Sequence, residues 1–336
     1  MSSAPSPVVP KPAAASFAST LLDRGGMILV LFALVALCWV TVRGFGTPEN
    51  FMNLLLQVSM VGTVATTMLF CLASGNFDLS VGTIIPAGGV LCALILRQTN
   101  NLFLALTASL AFGALVGFLN GTIVARLKIN PLITTLSTMM MVRGIAFVFA
   151  DGKSIGIAND ALLNLASWAF PVIRNDAGSV VFQITFPVWV CLGLFALFGF
   201  VLQRTAFGRN TLAIGGNEEA ARLAGVNVTR VKVLIFTLQG LVAALAGVLL
   251  AARLGIGDPK TAQGSELSII SACVLGGVSL SGGIGKMSHV IAGVFIMGVV
   301  ENAMNLLNID SFYQYIVRGA ILLAAVMLDQ LKQRRG

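Results

Sequence analysis

Long apolar stretches separated by short polar loops make up most of the chain. Ten of them approach the length of about 20 residues that an α-helix needs to cross a bilayer. They cover residues 27–42, 51–73, 79–96, 102–125, 132–150, 186–202, 233–252, 267–280, 289–306 and 312–328. The pattern predicts an all-α polytopic membrane protein with about ten transmembrane helices, some of them broken.

The composition excludes an ordinary soluble domain. Apolar residues make up 57% of the 336 residues, charged residues make up 10%, and the mean hydropathy is +0.93. The net charge of +8 is spread over the loops, which favours a role in membrane topology over a nucleic-acid surface. The cysteines lie in the apolar stretches and are Cys38, Cys71, Cys92, Cys191 and Cys273. They lack the close spacing of metal ligands, so we expect buried small side chains and no metal site.

The distribution of Lys and Arg predicts the orientation. With the N-terminus inside, thirteen of these residues fall in inner segments and six in outer loops, which favours both termini in the cytoplasm. Residues 1–23 are rich in Pro, Ala and Ser and are predicted to be a disordered cytoplasmic tail. Residues 24–330 form the predicted transmembrane domain, which contains a cytoplasmic loop at 204–232 and a periplasmic segment at 151–185. Residues 331–336 are a basic cytoplasmic tail.

The cytoplasmic loop contains a short polar helix, formed by Asn217, Glu218, Glu219, Ala220, Ala221, Arg222, Leu223, Ala224 and Gly225. Asn217 is a favourable N-cap, and Gly225 is able to end the helix in the left-handed conformation. Glu218 and Arg222 have the i,i+4 spacing of a surface ion pair. Ala220, Leu223 and Ala224 form a small apolar face that a groove in a partner could receive. The alternative interpretation is a solvated loop helix without a partner.

This polar helix also carries a family resemblance. Glu219-Ala220-Ala221, followed after three residues by Gly225, resembles the EAA loop of permease subunits of ATP-binding cassette importers, in which the loop is a coupling helix seated in the ATPase subunit. Residues 73–82, 207–217 and 274–285 are similar to the monosaccharide permeases of the ribose, xylose and arabinose type. The resemblance extends over about residues 25–330.

The resemblance implies a bacterial inner-membrane permease that imports a pentose by alternating access and is not itself an enzyme. Its implied partners are an ATPase subunit at residues 217–225, a periplasmic sugar-binding protein at residues 151–185 and a second copy of the chain. ATP and Mg are expected on the ATPase subunit, since the chain has no phosphate-binding loop: Gly285-Lys286 is followed by Met287. We expect no cofactor in this chain and no nucleic-acid partner. The alternatives are an ion-coupled secondary sugar transporter and a permease for another monosaccharide such as ribose, xylose or galactose.

Glycines interrupt the apolar pattern at two places, which predicts two breaks between helices. The predicted break residues are Gly75, Gly82, Gly276, Gly277, Gly282 and Gly283. Broken backbone within a membrane is tolerated only where protein or a wet cavity satisfies its polar groups. The two breaks align as Gly75 with Gly276 and Gly82 with Gly283, a weak sign of an internal repeat.

Polar residues within the apolar stretches are candidates for the sugar pathway: Asp78, Glu301, Asn302, Asn305 and Asn308. Two interpretations stay open for each. Asp78 either caps the following helix or hydrogen-bonds a passing sugar. The three asparagines either offer donors and acceptors to the sugar or hydrogen-bond between helices. Glu301 either lines the pathway or pairs with Arg143 or Arg318, since an unpaired charge in hydrocarbon is costly.

Overall fold

The computed structural model describes residues 17–174 and 180–333, in which the chain forms thirteen helices and four short strands. The elements are α1 (Phe17–Thr41), α2 (Pro48–Ala73), α3 (Val81–Thr99), α4 (Leu102–Arg126), α5 (Pro131–Ala150), β1 (Ile155–Gly156), α6 (Asp160–Ser167), β2 (Ala169–Arg174), β3 (Val180–Thr185), α7 (Phe186–Arg204), α8 (Ala206–Gly216), α9 (Glu218–Leu223), α10 (Val228–Leu254), β4 (Ile256–Gly257), α11 (Ser265–Leu275), α12 (Met287–Leu306) and α13 (Ser311–Gln333).

Every apolar stretch identified in the sequence overlaps a helix. Seven helices within the described ranges are long and apolar enough to cross a membrane, namely α2, α3, α4, α5, α7, α10 and α12. Shorter apolar segments occur in α1, α11 and α13. The predicted eighth stretch, 267–280, extends past its helix, because α11 ends at Leu275 and a loop follows. The polytopic helical architecture is therefore confirmed.

The chain ends differ slightly from their predicted boundaries. Helix α1 begins at Phe17, within the segment predicted as a tail, and α13 continues to Gln333, within the predicted basic tail. The remainder of the two predicted tails lies outside the described residues.

Contacts between loops define two ends of the helix bundle. At one end, which we call the α9 end, the loop after α2 meets α8 and the loop between α11 and α12, and Gly283 N donates to Ala73 O over 2.9 Å. At the other end, the β1–β4 end, β1 pairs antiparallel with β4, and Asn159 Nδ2 donates to Asn100 Oδ1 over 2.8 Å. Segments 151–174 and 255–264 therefore share one end of the bundle, and α9 does not belong to it.

Glycines allow the closest helix packing in the core. Gly113, Gly117 and Gly121 face α10, where a Cβ at Gly117 would overlap the carbonyl oxygen of Phe236 and a Cβ at Gly121 would lie 2.8 Å from the Cα of Val233. The spacing of four residues puts all three on one helix face. These three glycines therefore serve close helix packing. The five cysteines are all buried, as expected.

Five helices end in the same arrangement of backbone hydrogen bonds. After α2, for example, Gly75 N donates to Leu72 O and Asn76 N donates to Cys71 O, the two bonds of a Schellman motif. The residue that takes the left-handed conformation is Gly75 after α2, Asp151 after α5, Gly225 after α9, Gly277 after α11 and Asn308 after α12. The motif needs φ > 0 at this position, which favours glycine and, among the other residues, asparagine and aspartate.

The two predicted breaks exist, with two corrections to their residues. The first break covers residues 74–80 and the second covers residues 276–286. Gly82 lies inside α3, not in the break, and its missing side chain makes room for the carboxylate of Glu266. Gly75 corresponds in backbone role to Gly277 rather than to Gly276, because Gly276 has a negative φ and precedes the left-handed residue.

Candidate functional site

Helix α9 forms with the capping that the sequence predicts. Asn217 is extended at φ −162°, and its Oδ1 accepts a hydrogen bond from the Ala220 backbone N–H over 2.9 Å. At the other end, Gly225 is left-handed at φ +87°. Cap and terminator together confine the helix to the six residues Glu218–Leu223.

One face of α9 is anchored to the rest of the chain and the other is free. Ala221 points inward and is buried, whereas Ala220 and Ala224 are exposed and Leu223 is 82% exposed. A leucine with this exposure in a polar loop contributes no burial energy within the chain. The predicted apolar face therefore exists and is open to a partner.

The ion pairs of α9 include one that the sequence did not reveal. Glu218 and Arg222 form the predicted i,i+4 pair at 2.9 Å, and Lys232 Nζ also donates to the second carboxylate oxygen of Glu218 over 2.6 Å. The hydrogen bond from Lys232 holds the pKa of Glu218 below its ordinary value, and Arg222 adds to this effect. Lys232 lies in α10, so the pair fastens α9 to a long apolar helix.

A polar cavity opens between α2, α11, α12, α13 and the loop before α11. Its volume is about 360 Å³, and its lining includes both charged and amide side chains. The polar lining residues are Lys260, Gln263, Ser265, Ser268, Glu301, Ser311, Gln314, Tyr315 and Arg318. Of the pathway residues proposed from the sequence, only Glu301 is among them.

Glu301 is the centre of a hydrogen-bond network at this cavity. Its Oε1 lies 2.8 Å from Arg318 Nε and accepts from Ser268 Oγ over 3.0 Å, and its Oε2 accepts from Gln57 Nε2 over 2.9 Å. Of the two pairings left open by the sequence, the one with Arg318 is formed. Both carboxylate oxygens are satisfied, so the charge is stable at a largely buried position.

The three asparagines make contacts of a different kind. Asn302 and Asn50 exchange two amide hydrogen bonds of 2.8 and 3.0 Å, which join α12 to α2. Asn305 Oδ1 accepts from Gln314 Nε2 of α13 over 2.9 Å. Asn308 is not on the helix face of the other two, because α12 ends at Leu306 and Asn308 is the left-handed terminating residue. Asn302 and Asn305 thus hydrogen-bond between helices, and Asn308 ends α12.

Asp78 has a local partner. It is completely buried, and its Oδ1 accepts from both the backbone N–H and the hydroxyl of Ser80, the residue before α3. Ser80 Oγ in turn accepts from Asn120 Nδ2 over 3.0 Å. Asp78 thus shapes the turn that starts α3, which matches the capping interpretation, although it acts two residues before the N-cap position.

Several cavity residues escaped the sequence analysis. Gln314 lines the cavity and Gln57 donates to Glu301 beside it, and the available signal was an amide within an apolar stretch. Ser268 and Lys260 offered none, since serines occur throughout such helices and Lys260 falls in a loop.

The chain is similar to known membrane permeases over most of its length. The family model for "Branched-chain amino acid transport system / permease component" matches residues 50–326. The L-arabinose transport system permease protein AraH of Escherichia coli (strain K12) is 50% identical over 314 residues, 93% of this chain and 92% of the relative. The L-arabinose ABC transporter permease protein AraH of Azospirillum brasilense is 45% identical over 315 residues, 94% of this chain and 90% of the relative. The ribose import permease protein RbsC of Bacillus subtilis (strain 168) is 38% identical over 313 residues, 93% and 94% of the two chains. No solved structure matches the chain.

The family match spans the chain from α2 to α12, which includes α9, and it also covers the residues that line the polar cavity. The chain therefore belongs to this family of transport-system permease components.

Proposed function

We propose that this chain is the membrane permease of an ATP-driven importer that carries L-arabinose across the bacterial inner membrane. Two relatives named for L-arabinose are 50% and 45% identical, whereas the ribose permeases of Bacillus subtilis and Escherichia coli are 38% and 35% identical. The branched-chain amino acid description belongs to the broader family, and the more similar relatives favour a pentose. The observation that carries the ATP-driven mechanism is the exposed apolar face of α9.

The proposed topology has ten membrane helices with both termini in the cytoplasm. Helices α1, α2, α3, α4, α5, α7, α10, α11, α12 and α13 would supply them. Two features support it. The excess of Lys and Arg favours the α9 end as cytoplasmic. The β1–β4 pairing brings segments 151–174 and 255–264 together at the opposite end, which is the periplasmic end in this proposal.

Docking of an ATPase subunit at α9 follows from its geometry. Leu223, Ala220 and Ala224 present a small apolar surface, and Lys232 fixes the orientation of α9 relative to α10. A helix held in this way transmits a displacement to the membrane helices instead of tilting freely. ATP and Mg bind to the ATPase subunit in this proposal, and this chain performs transport without catalysis.

The polar cavity is the proposed entry for the sugar. A pentose is neutral and rich in hydroxyl groups, and Gln263, Gln314 and Lys260 carry donors and acceptors in the cavity lining. A periplasmic binding protein delivers the sugar at the β1–β4 end, where segment 151–185 is the proposed contact. Two copies of the chain enclose one central pathway, and alternating access moves the sugar.

Uptake of labelled sugars tests the proposal. Cells without their own pentose transporters receive this chain with its binding protein, with or without the ATPase subunit. We expect L-arabinose uptake that requires the ATPase and survives a protonophore. Uptake that is independent of the ATPase and sensitive to the protonophore would establish a secondary carrier instead. ATPase-dependent uptake of ribose, xylose or galactose without arabinose would correct the substrate alone.

A further inference from the structure

Three backbone segments meet without intervening side chains at the α9 end of the bundle. They are the last turn of α2, the last turn of α8, and the loop between α11 and α12. Ala73 O, which has no partner within α2, accepts the hydrogen bond from Gly283 N over 2.9 Å. We call this contact of Ala73, Gly215 and Gly283 the glycine junction.

Gly215 occupies the middle of the glycine junction. A Cβ on Gly215 would overlap both the carbonyl oxygen of Ala73 and the backbone nitrogen of Gly283, the two atoms that share the hydrogen bond. A Cβ on Gly282 would likewise lie 2.8 Å from the Cα of Gly215 and 2.9 Å from the nitrogen of Gly75. Gly215 is helical, so no positive φ requires glycine at this position. The close approach of two other segments is the reason for it.

Gly215, in the middle of the glycine junction, lies three residues before Glu218, the first residue of α9. Helix α8 ends at Gly216, Asn217 is both the C-cap of α8 and the N-cap of α9, and Glu218 starts α9. Asn217 N donates to Ala213 O and Asn217 Oδ1 accepts from Ala220 N. Both helices are therefore fastened to one residue, and a displacement of α9 reaches Gly215 through a single capped connection.

We propose that Gly215 is a positioning residue that transmits movement of the docked α9 to both helix breaks at once. The inference rests on the proposed function, because it takes α9 as the ATPase-docking helix. Backbone that touches backbone has no side-chain rotamers to absorb a shift, and packed interiors move between discrete arrangements rather than deform. When α8 shifts, the end of α2 and the 276–286 loop shift with it. The cytoplasmic ends of α2 and α12 thus respond to the ATPase as a unit.

A pair of neighbouring glycines in α8 provides a matched test. Gly215→Ala inserts a methyl group into the glycine junction, whereas a Cβ on Gly216 meets nothing within 4 Å among the described residues. Both substitutions change helix propensity in the same direction. The readout is the number of ATP molecules hydrolysed per L-arabinose imported by the assembled complex. We expect this ratio to rise roughly 5-fold or more for Gly215→Ala, the scale of a typical coupling free energy between two sites, and to stay unchanged for Gly216→Ala.

A merely structural role of Gly215 predicts a different result. In that case uptake and ATP hydrolysis fall together with the amount of complex in the membrane, and the ratio is unaffected. An unchanged ratio for Gly215→Ala would therefore overturn the proposal. If the wild-type complex itself shows no ATPase-dependent uptake, the proposed function fails instead, so the two failures are distinguishable.

Spin labels test the same proposal without disturbing the glycine junction, in case Gly215→Ala does not assemble. Ala213 on α8 and Ile284 in the 276–286 loop are both exposed, and Lys128 after α4 is an exposed reference at the same end. Between the nucleotide-free and the vanadate-trapped complex, we expect the distance from Ala213 to Ile284 to stay constant while both distances to Lys128 change. A shift between Ala213 and Ile284, or no change in either distance to Lys128, would contradict the proposal.

Discussion

Lys232 Nζ donates a hydrogen bond to Glu218 Oε2 over 2.6 Å and thereby fastens helix α9 to the N-terminal part of α10. The lysine side chain is 13% exposed and the glutamate 42%, so the pair lies at the boundary between solvent and protein. Exposed ion pairs contribute below about 1 kcal/mol to stability, and this one acts mainly by orienting a short helix.

Removal of this anchor is expected to weaken coupling more than folding. In Lys232→Met, α9 keeps its caps but loses its attachment to α10, so ATPase association and uptake fall while the amount of protein in the membrane stays close to wild type. Arg222→Met is the matched control, because it removes only the i,i+4 pair on the same carboxylate. Equal behaviour of the two variants in ATPase co-purification would contradict an anchoring role for Lys232.

The same pair predicts the pH dependence of α9 anchoring. Lys232 lowers the pKa of Glu218 in the folded protein, so the stabilising contribution is fully present above the ordinary Glu pKa of about 4.3. It is lost only as the pH falls through the lowered pKa. The wild-type chain should therefore bind the ATPase subunit equally well across the neutral pH range and lose the contribution of Glu218 only in the acid range. Co-purification over a pH series measures this. A loss of ATPase association near pH 7 that the Glu218→Gln variant does not show would contradict a lowered pKa of Glu218.

Leu223 is expected to be the main apolar contact with the ATPase subunit. Leu223→Asp removes no buried contact within the chain, since the side chain is 82% exposed, so membrane insertion and thermal stability should be unchanged. ATPase association should fall by roughly 10-fold or more, because a charge then faces the partner's apolar groove. Leu165→Asp in α6, at the other end of the bundle, is the control and should retain association. Co-purification with the tagged ATPase subunit measures both, and normal binding by Leu223→Asp would argue against the docking assignment.

Gly225 ends α9 through its backbone conformation alone. Its φ is +87°, and a Cβ there would meet no described atom within 4 Å. Gly225→Val therefore introduces backbone strain although its Cβ has room, at a cost of roughly 1 to 2 kcal/mol. Gly225→Asn should be tolerated better, since asparagine takes this conformation more readily, as Asn308 does after α12. Uptake is expected to fall in the order glycine, asparagine, valine, and equal uptake for all three would remove the requirement for a left-handed residue.

Glu301 and Arg318 should show strong energetic coupling. Replacement of one partner leaves the other as an uncompensated charge beside a cavity, which costs about 3 to 5 kcal/mol where the pair is buried. We expect Glu301→Gln and Arg318→Met each to lower the thermal stability of the purified protein, and the double variant to be more stable than the sum of the two losses implies. Additive losses in this double-mutant cycle would show that the pair is not a unit.

Local features of the fold followed from the sequence, because they depend on neighbours along the chain. The positions of the membrane helices came from apolar runs, the N-cap Asn217 from its side-chain chemistry, and the terminator Gly225 from its freedom at positive φ. The break at residues 74–80 was visible for the same reason. Each of these signals lies within a few residues of the structure that it determines.

The missed features depend on contacts between distant segments. Lys232 reaches Glu218 across fourteen residues of chain, and Asn50 meets Asn302 across 252 residues. No local signal shows that position 215 requires glycine, because the atoms that exclude a side chain from Gly215 belong to α2 and to the loop after α11. Asn308 was grouped with Asn302 and Asn305 as a pathway candidate, but it lies two residues after the end of α12.

Reconstitution gives the most direct test of an ATP-driven permease that docks through α9. The purified complex of this chain with its ATPase subunit, in proteoliposomes supplied with the sugar-loaded binding protein, is assayed for transport of labelled L-arabinose. We expect transport with Mg-ATP, none with a non-hydrolysable analogue, and none when the ATPase subunit is combined with the Leu223→Asp chain. Transport at the wild-type rate by Leu223→Asp, or transport driven by an ion gradient without ATP, would contradict the mechanism.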